Sequence, residues 1–287
     1  MKLFEFVVAI VSVIMFFSSS CLEAASIEEP AASSSGDLMI APQRIVFEGT
    51  VRTAEVSLMN RSDRPLTYGI SFVQYRMTEN GMMKEITEAG PNELFASPYI
   101  RFTPRRVLLE PHQMQTVLLQ LLKPQGLKDG EYRSHLLLCV LPTAKEEKEP
   151  DVGNEGKSLS IKMVTIYGVS IPVIVRHGAL SVTTGLSGLS LAPKKGLSQR
   201  SLSVTIERDG NCSTFGDLVA EWKASGNNVV SIGRVNGIAV YTSIAKRRVS
   251  LPLSLPAGLE FHGGQLTVRF IDHVNEKILA EATLLLP

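Results

Sequence analysis

From residue 38 to the end, the chain is a succession of short β-branched and apolar runs, each closed by a turn signal, with no long helical period competing with them. That pattern predicts an all-β fold, because strands of this kind bury one face and need a second sheet to bury it against. Residues 51–60 alternate, with Ala54, Val56 and Leu58 on one face. Asn60-Arg61-Ser62-Asp63-Arg64-Pro65 then supplies a turn before a second run at 66–76. Asn80-Gly81 follows, the strongest short-range hairpin signal. Further strands are predicted at 99–102, 114–122, 132–141 and 159–175. About seven strands at this spacing predict an antiparallel sandwich of immunoglobulin type.

The run at 159–175 is far longer than the usual strand of about five or six residues. Such a strand has to overhang its own sheet or serve two partners. It follows a charged segment, 144–157, which contains Pro150, Gly153 and Gly156 and reads as an exposed loop. It ends at Arg176-His177-Gly178, with Gly178 as a hinge. Runs at 201–206, 228–232, 237–241, 248–253, 265–270 and 278–286 then predict a second, smaller sandwich. The expected organisation is a leader at 1–25, a Ser/Ala/Glu-rich spacer at 26–37, one sandwich at 38–177 and another at 178–287.

The leader is expected from Lys2, the apolar stretch from Phe6 to Phe17 and the small residues around Ala24 and Ala25, the order of a secretory signal peptide. Its apolar run is below the ~20 residues that span a bilayer. Cys21 raises the alternative of a lipoprotein, against which stand Ser18, Ser19 and Ser20 just upstream. Three cysteines, Cys21, Cys139 and Cys212, are too few and too dispersed for a disulfide framework, and Cys139 is expected in the core.

Hydrophobic residues make up 44 % of the chain and charged residues 20 %, enough for a real core and too ordered a mix for a disordered chain. With 29 Lys and Arg against 28 Asp and Glu, the broad basic field of a nucleic-acid binder is missing. The five histidines, His112, His135, His177, His262 and His273, show no metal-ligand spacing and are expected at the surface or at an interface. There is no Gly-x-Ser-x-Gly elbow, phosphate-binding Gly-rich loop or Cys-x-x-Cys, so neither an enzyme nor a cofactor is expected. A single Trp222 supplies little for aromatic platforms. Binding through backbone and aliphatic surface is the expectation that remains.

Four segments carry a family resemblance. They are Pro42-Gln43-Arg44-Ile45-Val46-Phe47-Glu48-Gly49; Val56-Ser57-Leu58-Met59-Asn60 leading to Pro65; Pro104-Arg105-Arg106-Val107-Leu108-Leu109-Glu110-Pro111 followed by Gln115; and Ile171-Pro172-Val173-Ile174-Val175-Arg176. Together they resemble the amino-terminal domain of the periplasmic chaperones of the chaperone-usher pathway, the PapD-like pilus-assembly chaperones. The second half is similar by position and general pattern only. The resemblance implies two immunoglobulin-like domains and a cleft that receives a pilus subunit lacking its final strand. It also implies that the long last strand fills the subunit's groove by β-strand addition, and that an outer-membrane usher takes the delivered subunit.

On a period of two, Leu159, Ile161, Met163, Thr165 and Tyr167 share one face, which makes Leu159, Ile161 and Met163 the expected donor side chains. Their burial would be worth roughly 5 to 8 kcal/mol before ordering costs. The family holds a subunit's terminal carboxylate with an arginine on the first strand and a lysine on the last. Arg44 falls at the arginine position, whereas Pro172 stands at the lysine position and donates nothing. Arg133 stands where the family commonly places an acid, so the linker arginine Arg176 needs a different partner. The expected localisation is the periplasm, with self-association through a free edge strand left open. The competing expectation is a two-domain immunoglobulin-like structural or adhesive module that binds a ready-folded partner.

Overall fold

A computed structural model describes residues 37–142, 167–191, 200–223, 229–255 and 263–286. The expected donor residues Leu159, Ile161 and Met163 lie outside the described residues, as do the loop at 144–157 and the leader. Among the described residues the regular structure is β-strand, with one short 3-10 turn at Ser97–Tyr99.

The first nine strands of the chain's opening half are β1 (Leu38–Ala41), β2 (Ile45–Phe47), β3 (Thr53–Asn60), β4 (Leu66–Val73), β5 (Tyr75–Met77), β6 (Met83–Glu85), β7 (Ile100–Thr103), β8 (Arg106–Leu109) and β9 (Met114–Leu121). Two longer ones follow, β10 (Gly130–Val140) and β11 (Gly168–His177). They form one sheet in the order β1-β3-β9-β7 and a facing sheet in the order β2-β11-β10-β4-β8, while β5 and β6 make a separate hairpin. The core between the sheets collects the inward residues of both, among them Phe47, Val56, Leu58, Leu119, Leu136 and Val173. Asn60 is buried at the end of β3 with its polar atoms occupied, since Nδ2 donates to the Arg64 carbonyl at 2.8 Å and Oδ1 accepts from the Ser62 amide at 3.0 Å. This side chain closes the turn that runs to Pro65.

The first strand of the sandwich is split between the sheets. Leu38–Ala41 pairs with β3, the chain crosses at Pro42 through a cis peptide, and Ile45–Phe47 joins the other sheet parallel to β11. Because the strand period is two, Ile45 and Phe47 face the core while Arg44 and Val46 face outward. The crossing therefore delivers Arg44 to the outer face of the five-stranded sheet.

The second sandwich contains β12 (Val182–Leu191), β13 (Ser201–Gly210), β14 (Thr214–Lys223), β15 (Val229–Val240), β16 (Lys246–Pro252), β17 (Gly264–Asp272) and β18 (Ile278–Leu286). Its sheets are ordered β12-β13-β16 and β15-β14-β17-β18 around a core that includes Leu202, Leu218, Trp222, Val268 and Phe270. The separate runs expected at 228–232 and 237–241 are one strand, β15, whose pairing with β14 shifts register twice. Strands β12 and β14 have no counterpart among the sequence expectations. Gly178, the expected hinge, lies in a bend just after β11. Its φ is +71° and a Cβ there would run into the Asp129 carboxylate, which accepts the Ala179 amide at 3.0 Å. The cysteine expectation is also corrected: Cys139 is half-buried because its position on β10 points away from the core, whereas Cys212 is buried in the β13–β14 turn.

Candidate functional site

Odd-numbered residues of β10 point away from the first core, so Glu131, Arg133 and His135 line up on the outer face. Their partners across the antiparallel register with β11 are Arg176, Ile174 and Pro172. Arg44, just before β2, and Val46 of β2 complete the patch on the far side of β11. The second sandwich covers it with Ser213 from the β13–β14 turn, Phe215 of β14, and Ala239 and Tyr241 at the end of β15. Met77, Ile174, Ala239 and Tyr241 form a small apolar cluster there, with Val46, Phe215 and Ile244 packed against it.

Glu131 anchors the junction. Its Oε2 accepts the Ser213 amide at 3.1 Å, the Ser213 hydroxyl at 2.8 Å and Arg176 Nε at 3.3 Å, while Oε1 has no partner. Arg176 reaches Glu48 as well, at 3.3 Å, and burial, which opposes its charge, is outweighed by these two carboxylates, so its pKa is raised. The acid that Arg176 needs is thus two residues ahead of Arg133, on the same face of the same strand. Sequence inspection at position 133 passed over it because a buried Glu131 is recognisable only once the Ser213 turn is seen to sit on it.

Arg44 stacks its guanidinium over the Phe215 ring, 4.4 Å from the centroid, and makes one long contact of 3.5 Å from Nη2 to the Ser213 hydroxyl. Arg133 lies 3.8 Å over the Tyr241 ring and donates from Nη2 to the Tyr75 carbonyl at 2.7 Å. Burial pushes both guanidinium pKa values down, with Tyr241 and Glu131 pulling the other way. His135 is edge-on to Tyr75 at 5.1 Å and to Tyr241 at 6.3 Å, which makes it an interface histidine. Its pKa falls to about 3, first through burial and then through the cations Arg133 and Arg44, so the ring is neutral throughout the ordinary pH range.

The second element of the site is an edge. Strand β11 has β10 along its whole length on one side, but β2 covers it on the other only at Val173, Ile174 and Val175. From Gly168 to Pro172 that side has no paired strand among the described residues. Pro172 therefore sits where a ladder donor is not required, which is how a sheet tolerates it. The uncovered stretch leads directly to Arg44, one residue ahead of the Ile45 and Val173 pair. Arg44, Arg133 and Arg176 are brought together here with Glu131, which the sequence reading did not single out, while the expected start of the long strand at 159 lies outside the described residues.

No protein-family model matches the sequence, and no curated protein does. Solved structures do match the fold over most of its length. They include the YadV chaperone, at 14 % identity over 87 % of this chain and 100 % of that one with a TM-score of 0.43. They also include the CsuC–CsuE chaperone-tip adhesion subunit pre-assembly complex of archaic Csu pili from Acinetobacter baumannii, at 12 % identity over 85 % and 97 % with a TM-score of 0.44. The Salmonella enterica SafA pilin in complex with the SafB chaperone matches at 13 % identity over 87 % and 96 %, with a TM-score of 0.38. These structural matches are pilus chaperones, two of them crystallised with a fibre subunit.

Proposed function

We propose that the protein is a periplasmic chaperone that holds subunits of a surface fibre by strand addition and delivers them to an outer-membrane usher. Its domains are taken as 38–177 and 178–287. The observation that carries this reading is the stretch Gly168–Pro172, paired on one side only among the described residues and leading to Arg44. An unpaired row of backbone N–H and C=O groups is a template for another chain, and proteins normally cover or disrupt it.

Electrostatics choose the direction of the incoming strand. Since β2 runs parallel to β11, a strand laid into the uncovered register ahead of it and running the same way ends beside Arg44, with its carboxylate toward the guanidinium. An antiparallel strand would bring an ammonium group there. The main-chain ladder supplies affinity, and Leu159, Ile161 and Met163 supply alternate side chains for the subunit's groove. Arg176 ties the second sandwich to the strand that is donated, through Glu131 and the Ser213 carbonyl at 3.5 Å.

The test is co-expression with a small secreted β-protein that lacks its final strand. A one-to-one complex is expected, with its yield reduced at least tenfold by Arg44→Ala, the loss of a charged hydrogen bond, and by Ile161→Glu. Full recovery of both variant complexes contradicts the mechanism.

A further inference from the structure

The sheet β1-β3-β9-β7 turns one face to the core of the first sandwich and the other to solvent, on the side away from β11. On a period of two, Ile40, Leu58 and Val117 point inward, while Met39, Met59 and Met114 point outward. The register sets these three side by side. Met39 of β1 lies opposite Met59 of β3, and Met59 lies opposite Met114 of β9. Three of the chain's nine methionines thus form one row straight across three strands. Met39 is 43 % exposed and Met114 58 %, so burial does not account for the apolar side chains at its two ends.

Chemistry separates this row from an ordinary apolar surface. The solvent face of a strand favours Thr and other β-branched residues, and the next row on the same face, Ala41, Ser57 and Thr116, is small and partly polar. A thioether sulfur is only a weak hydrogen-bond acceptor, yet it is a good ligand for a soft cation. Neighbouring strands stand about 5 Å apart and methionine has about three rotatable bonds, so the two outer thioethers reach the central one over the low row beside them. On the other side the sheet ends in turns, where the Arg61 amide donates to the Asp37 carbonyl at 2.6 Å. Among the described residues no group of three or more His, Cys, Asp or Glu side chains is placed to hold a metal ion, so the ligands that Zn(II) prefers are not assembled there.

We propose that Met39, Met59 and Met114 form a three-sulfur site for a soft monovalent cation, Cu(I). All three ligands are neutral and carry no proton to lose, so binding is expected to be independent of pH where imidazole and thiolate sites release their metal. The same softness passes over Zn(II), Mg(II) and Ca(II), which take nitrogen, thiolate or oxygen ligands. This site stands apart from strand addition, because β11 belongs to the facing sheet.

The test titrates unaltered protein, labelled with 13C at the methionine methyl groups, with Cu(I) under anaerobic conditions in the presence of a competing Cu(I) chelator. The methyl signals of Met39, Met59 and Met114 are expected to move together and to saturate at one ion per chain, equally at pH 5 and pH 7. Met82, an exposed methionine outside the row, is the internal control and is expected to stay in place. Met59→Leu keeps the side-chain volume and is expected to weaken Cu(I) binding at least tenfold, read from the Met39 and Met114 signals against the chelator. Zn(II) is expected to leave all three signals unmoved. A response at only one of the three methionines, a response at Met82 at the same Cu(I) level, or copper taken up by Cys139 or Cys212 with the row unmoved overturns the site. Undiminished affinity in Met59→Leu overturns it as well, and movement of the three signals with Zn(II) overturns the choice of a soft ion.

Discussion

Burying the Glu131 carboxylate costs desolvation that Arg176, the Ser213 amide and the Ser213 hydroxyl offset. Removing the acid strands those donors at the junction. Glu131→Ala is expected to lower the unfolding free energy by about 3 kcal/mol, read from the urea midpoint at constant slope. His135 gives the same junction a pH signature. Its folded pKa of about 3 lies below the unfolded value of 6.5, so the unfolded chain binds the extra proton between those limits. The stability contributed by the neutral ring is complete above pH 6.5 and is lost as pH falls toward 3, by up to about 5 kcal/mol. His135→Phe keeps the edge contacts to Tyr75 and Tyr241 and removes the titration. The acid limb of its stability curve is expected to be flatter than wild type, and identical limbs contradict the assignment.

At the scale of elements, most of the first sandwich was legible because its strands alternate cleanly and its turns use Asn60, Pro65 and Asn80-Gly81. The strand β14 was not, because its pattern is interrupted by Asp217, a carboxylate in a buried central strand. That carboxylate accepts the Gly237 amide at 2.9 Å, Arg234 at 2.7 Å and contacts His273 Nδ1 at 2.7 Å. A polar residue is admitted to the interior once its partners arrive from β15 and the β17 end, and none of that is visible in a local window. Asp217→Ala is expected to cost about 2 kcal/mol or more, measured by chemical denaturation, because three donors lose one acceptor. Glu131 was missed for the same reason, its partner Ser213 lying 82 residues away. Arg44 was singled out from the local segment around it and from the family resemblance, and its role as an anchor belongs to the proposal.

In the whole molecule, the two sandwiches meet through contacts of unequal worth. The β5–β6 turn reaches across with Glu79, which pairs with Arg248 at 2.7 Å, but both side chains are more than half exposed. Glu79→Ala is therefore expected to change stability by less than about 1 kcal/mol. Tyr241, buried among Met77, Ile174 and Ala239 and stacked by Arg133, is the stronger tie, and Tyr241→Ala is expected to cost about 3 kcal/mol or more. In the proposed function, the edge of β11 at Gly168–Pro172, paired on one side only among the described residues, stays open until a subunit strand fills it. Amide hydrogen exchange across Gly168–Pro172, in the free protein and in its one-to-one complex with a subunit, measures this directly. The outward amides of this stretch are expected to exchange fast in the free protein and to become protected in the complex, while Val173–Val175 stay protected in both. Equal protection of Gly168–Pro172 in the two states would contradict strand addition.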